Sequence, residues 1–259
     1  LGGAPKVGKS EFLVHLLAHC AAGVPFLNFT PARPMRVFYL QSEIQYPYLK
    51  ERLQQLTLPA SVINVAANNL LVTPRVNVLL NENGVDKIVN TIKQHFPDEP
   101  PDIICIDPIR NVFDPELGSE NDNSAMMRFL RERVDQIQQR VNPECGIILA
   151  PHTRKIGKKE LSDDPFQALS GAGSLRGYYS SGLLLYKPDE NRSERVLACE
   201  LRNGPSPEMV MLDKDNGQWV EVDPDQDRIV NQEWGEKLDA ERLRQGGVIL
   251  QLIHDEALK

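Results

Sequence analysis

Residues Gly3 to Ser10 read Gly-Ala-Pro-Lys-Val-Gly-Lys-Ser, a complete GxxxxGK[ST] spacing. In that pattern the two glycines let backbone N–H groups curl around a polyphosphate, the lysine reaches the β and γ oxygens, and the hydroxyl ligates Mg²⁺. Gly3, Lys6, Val7, Gly8, Lys9, Ser10 and Glu11 are therefore the candidate nucleotide-binding residues, with ATP and Mg²⁺ as the expected cofactors. Mg²⁺ at such a loop also needs a carboxylate, held directly or through water. Asp107 fits, because it closes the apolar run Asp102-Ile-Ile-Cys-Ile-Asp107, although a turn aspartate would look the same. Ser10 and Asp107 form the candidate metal set. Hydrolysis requires a group that orients or deprotonates water. Glu43, just after the apolar run Val37–Leu40, is that candidate, the bland alternative being a solvated loop acid. His152 follows the run Gly146–Ala150, where an imidazole is placed to touch the γ-phosphate or its attacking water; a purely structural histidine is the competing reading.

These residues have to be carried by particular elements. A helix is expected from about Lys9, with Phe12, Leu13, Leu16, Leu17 and Cys20 at helical spacing and Gly23 as its stop; its N-terminus adds partial positive charge to the anion site. Val37–Leu40 reads as a buried strand, 48–56 as a helix, Val62–Val65 and Leu70–Val72 as short strands, and Val85, Ile88, Val89 and Ile92 as the apolar face of a helix ending before Pro97. The run ending in Asp107 reads as a central parallel strand that delivers its acid at the carboxyl edge. Met126 to Val141 is a further helix, and Gly146–Ala150 the next strand. From residue 183 the rhythm changes to short strands at 183–186, 196–201, 209–212 and 218–222, with turns such as Asp215-Asn216-Gly217, which implies antiparallel hairpins. An acidic linker around 223–227 and a tail with helical periodicity follow. Such a phosphate loop follows a buried strand, yet the first residue is Leu1, so the expectation is that an N-terminal strand is missing from the chain.

With 41% hydrophobic and 25% charged residues, the 259-residue chain has an ordinary globular composition. It shows no long apolar span and no signal-peptide pattern, so no membrane contact and a cytoplasmic location are expected. Cys20, Cys105, Cys145 and Cys199 are scattered without metal-ligand spacing and read as buried thiols. The net charge of −7 argues against coating nucleic acid over the whole surface, but not against a local basic groove. Arg154, Lys155, Lys158 and Lys159 form the densest basic cluster, diluted by Glu160, Asp163 and Asp164.

The order of these features resembles the RecA-like ATPases, and within them the subgroup holding the small plasmid replicative helicases of the RepA type and the RecA-like core of DnaB-like hexamers. The resemblance covers residues 1 to 222. It rests on the phosphate loop, on Phe38-Tyr-Leu-Gln-Ser-Glu43, on Ile103-Ile-Cys-Ile-Asp107-Pro108, on Asn121 within Ser-Glu-Asn-Asp, on Pro151-His152-Thr-Arg-Lys155 and on Arg202-Asn203-Gly204. It implies an α/β fold: a RecA-like P-loop NTPase core with a central, mostly parallel sheet flanked by helices and C-terminal antiparallel β-hairpins. Residues 1–222 would form that ATPase domain, and 223–259 a linker and helical tail or the start of a further region. It further implies that Lys9 and Ser10 hold phosphate and Mg²⁺, Glu43 activates water, Asp107 supports the metal and His152 senses the γ-phosphate. Active sites of this class lie between subunits, so the resemblance implies a homo-oligomer, a hexameric ring, in which Arg202 is the arginine finger and Arg195 its fallback. The segment 154–170 corresponds to the family's loop facing single-stranded nucleic acid, with 171–174 as a mobile return path. Two departures stand out: a single histidine in Pro151-His152 where relatives show a pair, and Tyr178, Tyr179 or Ser180 where they carry an acid.

Three function classes follow. One is a helicase-like motor on single-stranded DNA in plasmid or phage replication. Another is an ATP-controlled oligomeric scaffold or switch, favoured by the acidic charge. The third, a P-loop kinase, lacks the arginine-rich lid it would need between residues 155 and 190.

Overall fold

The computed structural model describes residues 1–56, 58–154, 158–169, 172–189 and 191–223. Two sheets carry the chain, ordered β3-β2-β4-β5 and β1-β6-β7-β8-β9. The first comprises β2 (Val37–Gln41), β3 (Leu70–Val72), β4 (Ile103–Asp107) and β5 (Gly146–Leu149), all parallel. The second comprises β1 (Gly2–Gly3) and β6 (Ser181–Tyr186), paired in parallel, then β7 (Arg195–Leu201), β8 (Val210–Asp215) and β9 (Gln218–Glu221) as an antiparallel meander. A parallel bridge between Gly3 and His152 and a 2.7 Å hydrogen bond from the Leu1 amine to the Leu149 carbonyl join the two at β5 and β1. The short β1 is therefore the seam on which the phosphate loop is mounted.

Helices cover both faces of the parallel sheet, and side-chain parity along the strands assigns them. Val37, Tyr39, Ile103 and Cys105 point to α1 (Lys9–Ala22), meeting Leu13, Val14, Leu17 and Ala21. Phe38, Leu40, Ile104 and Ile106 point the other way, onto α4 (Glu82–His95) and onto α6 (Asn123–Phe129) and α7 (Asp135–Val141). β2 and β4 are buried on both faces, which is why their sequences are unbroken apolar runs. Each fully buried Leu, Ile or Phe contributes about 1.5–3 kcal/mol of transfer free energy, so the sheet and its helices form one cooperative frame. Local signals set the ends: Gly23 closes α1 at φ 73°, Asn81 caps α4 by accepting from Gly84 N at 2.9 Å, and Asp122 caps α6 by accepting from Ala125 N at 2.8 Å.

Several expectations need correction. Val62–Val65 lies inside α3 (Ala60–Asn69) rather than a strand. Its β-branched residues suggested β-structure, but the segment packs Ala66 toward α1 and leaves Ile63 and Val65 exposed, a helical pattern. The helix expected at 48–56 is α2, Tyr46–Gln54. The one expected from Met126 opens at Asn123 and passes through a π-helical turn, Leu130–Val134, before α7. The segment after His152 is not a plain loop: it holds α8 (Lys158–Asp163) and a 3₁₀ turn, Pro165–Ala168. Of the expected return path 171–174, residues 172–174 open α9 (Ala172–Tyr178), where Ser174 Oγ donates to Asn123 O at 2.6 Å, and residue 171 lies outside the described residues. Asn216 and Gly217, at φ 48° and 80°, make the tight β8–β9 turn expected from sequence. Cys105 and Cys145 are buried and Cys20 and Cys199 half-buried, all as thiols. The acidic linker from 224 and the helical tail lie outside the described residues.

Candidate nucleotide site

The phosphate loop spans the gap between β1 and α1. Gly8 sits at φ 101°, and a side chain there would press on the Trp219 ring, whose atoms lie 3.1 Å from its β-position. Gly3 is equally constrained, since a Cβ would come within 2.9 Å of both the Leu185 carbonyl and Val7 Cγ1. Gly8 offers no side-chain cap to α1, so the first-turn N–H groups at Lys9, Ser10 and Glu11 have no capping side chain among the described residues and are oriented for an anion, where the helix dipole favours it. Lys9 is only 6% exposed and donates from Nζ to the Pro151 carbonyl at 3.0 Å. Burial pushes its pKa down, while Asp107 and Glu43 pull it back up, so both acids lie within electrostatic reach of the lysine.

Asp107 ends β4 on the α1 face of the sheet and is 1% exposed. Its Oδ2 accepts a 2.7 Å hydrogen bond from the Tyr39 hydroxyl, and its Oδ1 is buried without a hydrogen-bond partner among the described residues. Its carbonyl accepts from Ser42 N at 3.0 Å, which ties the end of β2 to the end of β4. The turn after β2 is shaped by Gln41: Oε1 accepts from Glu43 N at 2.5 Å and from Ile44 N, and Nε2 donates to the Ile44 carbonyl at 2.8 Å. That turn leaves the Glu43 side chain exposed beside the site. His152 pairs with Gly3 across the seam, and its Nδ1 is buried without a partner among the described residues. Burial lowers the His152 pKa, the Lys9 and Arg110 charges add to this, and Glu43 and Asp107 oppose it, so the balance favours the neutral imidazole.

A hard divalent cation fits this donor set. The orphaned, buried Asp107 Oδ1 needs a positive or donating partner, and the half-buried Ser10 hydroxyl stands in the first turn of α1. No group of three or more His, Cys, Asp or Glu forms a protein cage among the described residues. One carboxylate plus substrate phosphates and water is how Mg²⁺ is ordinarily held.

Groups on the hairpin side brace the loop, a role that no local sequence signal marks. Arg195 Nε donates to the Val7 carbonyl at 3.2 Å, and its guanidinium lies 5.6 Å from the Trp219 ring centroid. Lys214 Nζ sits 5.1 Å from the same centroid and 2.5 Å from Glu11 Oε2. Trp219, Phe12 and Val7 share one buried cluster with Leu185, Leu197 and Leu212. Arg195, considered only as a substitute finger, thus braces its own phosphate loop.

Arg202 is not brought to that site. Gly3 is level with Leu185 and Leu197, and Arg202 lies beyond the far end of β7, about 17 Å further along the strand direction. Its guanidinium donates to the Gly177 and Arg176 carbonyls at 2.8 and 3.1 Å. Arg154 is exposed, with Nε donating to the Gln167 carbonyl at 3.1 Å. Lys158 and Lys159 open α8, and Lys155 lies outside the described residues.

Fold and site together define a RecA-like P-loop ATPase: an α/β core with a phosphate loop at the seam and an acid ending the strand beside it. The chain belongs to the AAA_25 family, described as an AAA domain, whose model matches residues 1–158. It is 27% identical over 212 residues to the DNA repair protein RadA of Chlamydia muridarum, covering 82% of this chain and 38% of that protein. It is 28% identical over 128 residues to RadA of Chlamydia trachomatis serovar D, covering 49% and 22% respectively. The chain thus spans well under half the length of these curated relatives. Among solved structures, the KaiC-like protein PH0186 from Pyrococcus horikoshii OT3 superposes with a TM-score of 0.55 at 12% identity, covering 85% of this chain and 87% of that one. That likeness concerns the fold. Among the described residues, no helix is long and apolar enough to cross a membrane.

Proposed function

We propose that this chain is an Mg²⁺-dependent ATPase, assembled as a ring of identical subunits, that couples hydrolysis to movement along or remodelling of single-stranded DNA, in the manner of the RepA-type and DnaB-like helicases. The observation that carries the ATPase reading is the convergence of Lys9, Asp107, Glu43 and His152 on the mouth of the phosphate loop, where each perturbs the electrostatics of another. In this reading Lys9 and the N–H groups at the start of α1 hold the phosphates. Ser10 and Asp107 hold Mg²⁺, which supplies charge neutralisation to the phosphoryl oxygens. Glu43, exposed to solvent yet near Lys9, orients the attacking water and takes its proton. Neutral His152 meets the γ-phosphate and transmits its presence to the segment that follows. Arg202 serves a neighbouring subunit, in keeping with its distance from its own loop.

The nucleic-acid half of the proposal is supported by the basic residues Arg154, Lys155, Lys158 and Lys159 directly after His152, and by the DNA repair role in the name of the RadA relatives. Contact through the phosphate backbone would be salt-sensitive and indifferent to sequence. The test is steady-state ATP hydrolysis with and without an unstructured DNA strand at two salt concentrations, with Lys9→Ala as the blank. Stimulation that weakens with salt is the expected result. Turnover indifferent to the strand would refute the motor and leave an ATP-controlled scaffold, the reading the net charge of −7 favours.

A further inference from the structure

The two oxygens of the Asp107 carboxylate have different surroundings. Oδ2 accepts a hydrogen bond from the Tyr39 hydroxyl at 2.7 Å, and Oδ1 is buried with no hydrogen-bond partner among the described residues. We propose that Tyr39 is a positioning residue, which locks the Asp107 carboxylate so that Oδ1 alone is presented to the divalent cation or its water. The inference rests on the reading of Asp107 as the metal-supporting acid.

The register makes the contact possible. Tyr39 pairs with Cys105 and Gln41 with Asp107 in adjacent parallel strands, so Tyr39 and Asp107 lie two positions apart on the α1 face. Tyr39 is 0% and Asp107 1% exposed, so bulk solvent does not compete for the hydrogen bond between them. A carboxylate rotates about a soft terminal torsion and offers either oxygen unless something holds it. A charge-assisted O–H···O⁻ bond in a dry setting is the kind of contact strong enough to do so. Packing alone does not call for the hydroxyl, because a phenyl ring would fill the same space among Leu13, Leu17, Val37 and Cys105, and a buried hydroxyl is costly unless it finds an acceptor. Groups that orient a ligating carboxylate typically change metal affinity by about 10–100-fold when removed.

Tyr39→Phe removes one oxygen atom and keeps the packed ring. The measurement is Mn²⁺ binding by electron paramagnetic resonance in the presence of ADP, on the full chain, with a thermal melt and metal-free ADP binding alongside. Tyr39→Phe is expected to weaken Mn²⁺ binding about 10-fold or more while metal-free ADP affinity holds. Unchanged Mn²⁺ affinity with only a lowered melting temperature would show a structural role and overturn the proposal. Asp107→Asn separates the two levels of inference. If it weakens Mn²⁺ and Tyr39→Phe does not, the positioning role alone is refuted; if neither variant affects Mn²⁺, the metal role of Asp107 is refuted with it.

Discussion

The ammonium of Lys9 donates a 3.0 Å hydrogen bond to the carbonyl of Pro151, the residue before His152. The lysine of the phosphate loop is thus anchored on the segment proposed to sense the γ-phosphate. A nucleotide that draws Lys9 onto its phosphates frees that carbonyl, which gives the loop and the sensor a shared contact to exchange. Lys9→Ala is expected to lower ATP turnover by about 100-fold or more, as for loss of a donor aimed at developing charge. Turnover within a few-fold of the unaltered chain would contradict the assignment. Backbone hydrogen exchange around Ala150–Thr153 should also respond to nucleotide in the unaltered chain and not in the variant.

Trp219 offers an optical readout of the same site. Its ring lies against Gly8, flanked by Arg195 and Lys214, so any motion of the loop changes the charges beside the indole. Trp234 is the other tryptophan and is removed as Trp234→Phe. In that background, emission should shift on adding ATP, and Trp219→Phe should abolish the response. Gly8→Ala should abolish nucleotide binding itself, because the φ of 101° and the 3.1 Å approach of the ring both oppose a methyl group.

The parts of this architecture readable from sequence are those fixed by short-range pattern. Asp107 and Glu43 could be picked out because each follows an unbroken apolar run, and such runs become strands buried on both faces. Tyr39 could not, since a tyrosine in a strand reads as ordinary β-propensity and its acceptor is chosen by the β2–β4 register. Arg195, Lys214 and Trp219 sit about two hundred residues after the loop they brace, and only the meander returning beside β1 brings them there. Val62, Ile63 and Val65 misled for the opposite reason: their local preference for strand is overridden by the packing of α3 on α1.

His15 makes stability depend on pH in a stated direction. It is 2% exposed, its Nδ1 has no partner among the described residues, and burial lowers its pKa to about 4. The unfolded chain binds this proton near pH 6.5 and the folded chain only near pH 4, so folding stability falls as pH drops through that window. The full effect is on the order of 3 kcal/mol at its acid end. Denaturant unfolding at pH 7 and pH 5 should show His15→Leu losing less stability than the unaltered chain over this interval. Equal losses would show that His15 takes up its proton without leaving the fold.

Arg202 provides the sharpest test of the ring. It lies beyond the far end of β7 from its own Gly3, with its guanidinium on the carbonyls at the end of α9, so any catalytic use of it has to be in a neighbour. Arg202→Ala should lower turnover about 10³-fold or more while nucleotide binding persists. Lys9→Ala chains, by contrast, lack the phosphate grip but still offer Arg202. In an equal mixture of the two variants that exchanges subunits freely, about a quarter of the interfaces of a cyclic assembly join an intact Lys9 to an intact Arg202. Activity should reappear in the mixture at roughly that fraction, and neither variant alone should show it. A mixture as inactive as its components, with exchange verified by labelled subunits, would remove Arg202 from the catalytic site.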